Sequence, residues 1–313
     1  KFPFVTVAKK QRNPYLNRYI SENRKHLNIT LLEKSKKTGY IFYVSYRGSG
    51  FDAFDEMAGK TTVKGYFKEI MDSLGFTWAK GIQQGGRTDA KVSGNNCLYV
   101  SSNFTGNVQK IICDFNEKSE GKMKITGFDK IFPNLVFPDY VEKRKYIYRY
   151  PQKKISKSFE EIKKSCDELT GTYDVSRFTD TKGEKLKEHI RTVEVSFENG
   201  ELIFTGNSFM PKQVRIMSGY ILTGEMTALP GKYLTLEKIF LNDEILKNIF
   251  IEEKDLKIEN VERIEKTKEG SFYEFYVSQD KKGKVIGKNG KNIKRLRKEL
   301  GTVIVREIWL LPE

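Results

Sequence analysis

The stretch "RTVEVSFENGELIFTGN" limits the fold more than any other part of the chain. Asn199-Gly200 at its middle supplies the positive φ angles of a tight turn, so it reads as a hairpin. Strand-like and helix-like runs alternate elsewhere. "YIFYVSYRG" is aromatic and β-branched and is closed by Gly48 and Gly50. "TTVKGYFKEIMDSLG" sets Val63, Phe67, Ile70 and Leu74 at helical spacing, with Thr61 or Thr62 as N-cap and Gly75 as the stop signal. "CLYVSS" reads as a short strand, and "RKYIYRY" puts Tyr146, Tyr148 and Tyr150 on one strand face with Arg144 in phase. "FEEIKKSCDEL" predicts an amphipathic helix through Phe159, Ile162, Cys166 and Leu169, ended by Gly171. "MPKQVRIMSGYILTG" predicts another, opening with Pro211 in its first turn and burying Val214, Met217 and Ile221. Hairpins mixed with helices predict an α+β chain whose mixed sheet is largely antiparallel and flanked by helices.

With 313 residues, two or three cores are expected. Lysine and arginine outnumber acidic residues 56 to 41, a net charge of +15, which favours a polyanionic partner without choosing it. No run approaches the roughly 18 apolar residues of a membrane span, and no secretory signal opens the chain, so a cytoplasmic location away from membranes is the expectation. Cys97, Cys113 and Cys166 lie far apart, and with His26 and His189 they show no metal-ligand spacing, so no metal site is assigned. Cys166 reads as a buried, reduced thiol. Residues 1–37 are basic and poorly periodic, an arm that either orders on a partner or stays solvated.

From about residue 255 the character changes. "EGSFYEFYVSQ" reads as a strand, "GKVIGKNGKNIKRLRKELG" as a turn, a Gly-x-x-Gly loop and a helix with the stripe Ile293, Leu296 and Leu300, and "TVIVREIWL" as a closing strand. This order resembles a KH domain, in the topology of prokaryotic proteins. Gly287 and Gly290 admit a phosphate backbone with no Cβ in the way. Lys288 and Asn289 offer donors between them, and Lys284, Lys291, Lys294 and Arg295 surround the loop. The resemblance implies that residues 255–313 bind RNA through a single-stranded segment.

Upstream, "GGRTDAKVSG" places Arg87, Thr88 and Asp89 in a loop. Alone it reads as a capped turn. Together with "KRKYIYRY", "HIRTVEVSF" and "GNSFMPKQVRIMSG", however, it resembles the TruA family of pseudouridine synthases over about residues 38–250, within an expected domain of 38–254. The resemblance implies a pseudouridine synthase fold and isomerisation of uridine to pseudouridine in tRNA or another structured RNA, without cofactor or metal. It implies that Asp89 is the catalytic carboxylate, Arg215 its ion-pair partner, and Tyr146 the residue that packs on the uracil and assists proton transfer. Arg87 would help flip the nucleotide, and Arg144 would contact RNA. Dimers are frequent in the family.

The chain departs from the family pattern in three places. Lys91 stands where the family has glycine, and Ser93 where it has histidine. Tyr46-Arg47-Gly48 replaces Tyr-Asp-Gly, and "FDAFDEMAGK" replaces a glutamine-rich stretch. A positive φ at Lys91 would strain the loop. These departures keep open an alternative in which the chain is a non-catalytic RNA-binding or RNA-chaperone protein with a synthase-like fold.

Overall fold

The computed structural model describes residues 4–8, 29–33 and 37–308. Phe4–Ala8 (β1) and Ile29–Glu33 (β2) pair in parallel, so the expected arm contains a small two-stranded sheet. Residues 1–3, 9–28 and 34–36 of that arm, and 309–313 of the closing segment, lie outside the described residues.

The strands that follow are Thr38–Tyr46 (β3), Gln83–Gln84 (β4), Ser93–Ser102 (β5), Met123–Ile131 (β6), Val141–Tyr148 (β7), Gly171–Asp174 (β8), Ile190–Glu198 (β9), Glu201–Gly206 (β10), Leu234–Leu241 (β11) and Phe250–Glu252 (β12). Arg263–Thr267 (β13), Phe272–Val277 (β14) and Thr302–Glu307 (β15) complete them. Helices are Val63–Ser73 (α1), Val108–Lys118 (α2), Phe159–Glu168 (α3), Thr181–Glu184 (α4), Gln213–Thr223 (α5), Asp243–Lys247 (α6), Lys282–Ile286 (α7) and Lys291–Leu300 (α8). Among the described residues one sheet runs β15-β14-β13-β12-β6-β3-β5-β11-β7-β10-β9-β8, with β4 on β5. Only β5·β11 and β14·β15 are parallel within it, so the largely antiparallel α+β reading stands.

The hairpin forms where expected: Asn199 and Gly200 take φ of 53° and 81°, and Glu198 pairs with Glu201. Thr62 caps α1 by accepting from the Gly65 amide, and Gly75 follows at φ 79°. Four local readings change. Phe159 is 59% exposed, because α3 turns Ile162 and Cys166 inward instead. Pro211 precedes α5, whose N-cap is Lys212 in a left-handed conformation. The expected turn before the Gly-x-x-Gly loop is helix α7, and Tyr150 lies beyond the end of β7.

Three larger cores result. Helices α1 and α2 bury Phe67, Met71, Ile112 and Phe115 against Phe42, Val44 and Leu98 of the central strands. Helices α3 and α5 pack Ile162, Val214 and Met217 with Tyr148, Leu202 and Phe204. The C-terminal module has its own core of Ile264, Phe275, Val285, Ile293, Leu296 and Val303. Its strands nevertheless extend the main sheet, because β12 pairs with β6 on one side and β13 on the other.

Candidate active site

Asp89 lies on the loop between β4 and β5. Asn96, in β5, braces that loop: its Oδ1 accepts from the Gly86 amide at 3.3 Å and its Nδ2 donates to the Gly86 carbonyl at 2.7 Å. The Thr88 hydroxyl is 2.9 Å from the hydroxyl of buried Tyr46. Two glycines admit the loop's far side: a Cβ on Gly48 would lie 2.3 Å from the Lys91 carbonyl oxygen, and one on Gly231 would lie 2.5 Å from that of Ala90. The loop is thus held by neighbours on several strands.

Arg215 reaches Asp89 from α5. Its Nη1 donates to Asp89 Oδ2 at 3.0 Å while its Nε donates to the Leu229 carbonyl at 2.6 Å. The arginine side chain is 16% exposed and the aspartate 33%, so the ion pair is partly shielded and one carboxylate edge still faces solvent. This arrangement orients a charged carboxylate without occluding it. Tyr146, 6% exposed, stands on β7 beside the loop, its hydroxyl 3.4 Å from the Arg87 carbonyl and its ring edge-to-face with Phe209 at 5.3 Å. Burial, and then Tyr46 and Asp89 nearby, push its phenol well above the ordinary range, against the Arg144 charge. The group stays protonated near neutral pH, so it offers a ring and a donor rather than a base.

The expected RNA contacts divide. Arg87 is exposed and pairs with Asp55 at 2.9 Å. Arg144 donates from Nε to the Gly85 carbonyl at 3.0 Å and from Nη1 to the Asn207 carbonyl, so its guanidinium anchors the start of the loop that bears Asp89. In the C-terminal module, Gly287, Asn289 and Gly290 have φ of 75°, 53° and 71°, which turn the chain sharply from α7 into α8. A Cβ on Gly287 would press on Asn292 at 2.8 Å. Lys284, Lys288, Asn289, Lys291, Lys294 and Arg295 are all exposed around this turn. The four lysines form no ion pair among the described residues, and Arg295 pairs with Glu299 at 3.3 Å.

The departures from the family pattern answer one another. Lys91 does take φ 64°, and its amide donates to the Phe51 carbonyl while its Nζ meets Asp52 at 3.0 Å. Ser93 accepts the Gly48 amide at 3.0 Å. Asp52 and Asp55 both belong to the unusual segment "FDAFDEMAGK", so two atypical segments are paired through Lys91 and Arg87. Sequence reading missed these two aspartates, as well as Asn96 and Gly231. Only the replacement of a glutamine-rich stretch by an acidic one, opposite a loop that gained a lysine, signalled the pairing.

A KH domain family model matches residues 272–307. Over 207 residues the chain is 26% identical to the tRNA pseudouridine synthase A of Oenococcus oeni, covering 58% of this chain and 81% of the relative. The tRNA pseudouridine synthase A of Streptococcus agalactiae is 26% identical over 210 residues, with 59% and 80% covered. Among solved structures, "Crystal Structure of a Cbf5-Nop10-Gar1 Complex" aligns at 14% identity and a TM-score of 0.32, covering 65% of this chain. The chain spans about half the length of the chain it matches there, 51%. Taken with the loop geometry, the chain joins a domain similar to tRNA pseudouridine synthase A to a C-terminal KH domain.

Proposed function

We propose that the protein isomerises uridine to pseudouridine in RNA, with Asp89 as the catalytic carboxylate. The observation that carries this reading is the Asp89–Arg215 pair, set beside buried Tyr146 on a loop braced from several strands. As the N1–C1′ bond breaks, positive charge grows on the sugar, and an ionised Asp89 stabilises it or traps it covalently. The freed uracil turns and C5 bonds to C1′; the proton then leaves C5 and N1 ends protonated. Tyr146 supplies a packing surface for the base during that turn, and Arg215 keeps the carboxylate aimed. The chemistry calls for no cofactor. Arg87, once released from Asp55, is placed to occupy the gap left by a flipped nucleotide.

The KH module extends the reading to a single-stranded segment held at Gly287–Gly290, and a homodimer on one RNA belongs to the same proposal. Sedimentation of the free protein checks the dimer. The central test maps pseudouridine, by carbodiimide-dependent reverse-transcription stops, in RNA treated with the protein or with Asp89→Ala. Stops made only by the intact protein, with RNA binding kept by the variant, are the expected outcome. Equal RNA binding with no stops from either protein would favour the non-catalytic RNA-binding reading.

A further inference from the structure

The C-terminal module is fastened to the catalytic sheet by buried charge. Lys130, on β6, donates to Glu265 of β13 and to Glu274 and the Tyr276 hydroxyl of β14, while Arg306 of β15 donates to Glu274. Arg263 pairs with Glu265 as well, at 3.3 Å, so three cations surround the two carboxylates. The Glu274 side chain is 3% exposed and that of Lys130 13%. Burial alone would push the Glu274 carboxyl up, but Lys130 and Arg306 outweigh it and hold the group down at about 2. Next to this cluster, Phe132, Phe250 and Phe272 meet edge-to-face with centroids 5.0 to 5.7 Å apart. Of the buried polar atoms in the charge cluster, Arg306 Nε alone lacks a hydrogen-bond partner. A desolvated network of ion pairs tolerates little displacement, because moving one member strands a buried charge. The joint is therefore stiff.

Its stiffness sets the relation of two loops. Following the antiparallel pairings from β5 through β3, β6, β12 and β13 to β14, the end at which the Asp89 loop enters β5 is the end at which β14 leaves toward α7 and the Gly-x-x-Gly turn. Helix α8 then runs back to start β15 beside the start of β14. Five strand spacings separate β5 from β14. At about 4.8 Å each, that is about 24 Å along the twisted sheet. Between them, at the same end, Arg47, Lys122 and Lys124 line a concavity of about 500 Å³ with Ser45, Ser93 and Asn95. All three cations are exposed and none forms an ion pair among the described residues. Arg47 is the residue that replaces the family's aspartate, so the departure turns a negative site into a positive one.

We propose that this concavity binds RNA phosphates and forms a track from the KH loop to Asp89, so that the rigid sheet selects a uridine at a fixed offset from a captured single-stranded segment. The inference rests on the proposed function. It differs from a flexible tether, which would raise the local concentration of any uridine within reach. Phosphates along the track need only charge and donors at the right spacing, which Arg47, Lys122, Lys124 and Asn95 supply.

The test uses RNA hairpins with one loop uridine and a single-stranded tail, the stem between them lengthened one base pair at a time. Affinity is measured with the full chain carrying Asp89→Ala, so that binding is read without turnover, and pseudouridine is mapped with the unaltered protein. One stem length is expected to bind on the order of 10²-fold tighter than the others. Arg47→Glu with Lys124→Glu should flatten that peak and lower the salt dependence of log affinity by about two. Lys288→Glu with Asn289→Asp should flatten it as well. Equal affinity at every stem length would overturn the inference, even if every hairpin were modified. A peak in affinity with no pseudouridine in any hairpin would uphold the inference and defeat the proposed function.

Discussion

Lys91 shows how a residue unsuited to its backbone is kept. At φ 64° it occupies a conformation that costs a non-glycine residue about 1–2 kcal/mol. The hydrogen bond from its backbone N–H to the Phe51 carbonyl and its exposed pair with Asp52 offset part of that strain. Lys91→Gly is therefore expected to leave the unfolding midpoint unchanged or raise stability by about 1 kcal/mol, with turnover retained; denaturant titration and a single-turnover assay check this. Arg215 behaves differently, because it holds the Asp89 carboxylate and the Leu229 carbonyl together through two nitrogens of one planar group. Lysine cannot make both contacts at once. Arg215→Lys should lower the single-turnover rate about 10²-fold while the affinity for RNA changes little.

At the level of elements, the loop bearing Asp89 is positioned by close backbone approach as well as by side chains. Gly231, after the turn at Pro230, lies so close to Ala90 that any Cβ would push on its carbonyl. Gly231→Ala should displace the loop, reducing turnover by one or two orders of magnitude with α5 and the sheet intact; amide exchange across residues 85–92 would report the displacement. Helices and strands were largely legible because their signals are local: the apolar spacing of α1 and α5, the Thr62 cap and the Asn199-Gly200 turn each act within a few residues. Phe159 misled for the same reason. It has the spacing of the α3 stripe, yet only the fold decides that the inward arc is centred on Ile162 and Cys166. The convergence of Asp89, Tyr146 and Arg215 was legible as motifs, but the two carbonyl contacts of Arg144 were not. An in-phase arginine on a strand gives no hint that Gly85 and Asn207 will present carbonyls to it.

At the scale of the molecule, composition and the change of character near residue 255 suggested two units joined in series. What they could not show is that the joint is a sheet. Lys130, Glu265, Glu274 and Arg306 are ordinary charged residues in sequence, far apart and without a motif, and only strand pairing gathers them. Glu274, held at about 2, lies below the ordinary 4.5, so the stability it lends is fully present above about pH 4.5 and is lost as pH falls toward 2. Amide exchange of β13 and β14 should accelerate across that window. Exchange that stayed pH-independent there, after correction for the intrinsic rate, would contradict the stiff joint.

The continuity of the sheet also bears on how the chain is made. On the ribosome β6 has β3 on one side, but its other edge waits for Phe250 and the strands after it. Until they emerge, the nascent chain carries an open strand edge beside the apolar ring of Phe132, a combination that invites pairing with other chains. A transcript cut short after α5 should therefore yield a sticky product that chaperones must hold, not a smaller working protein.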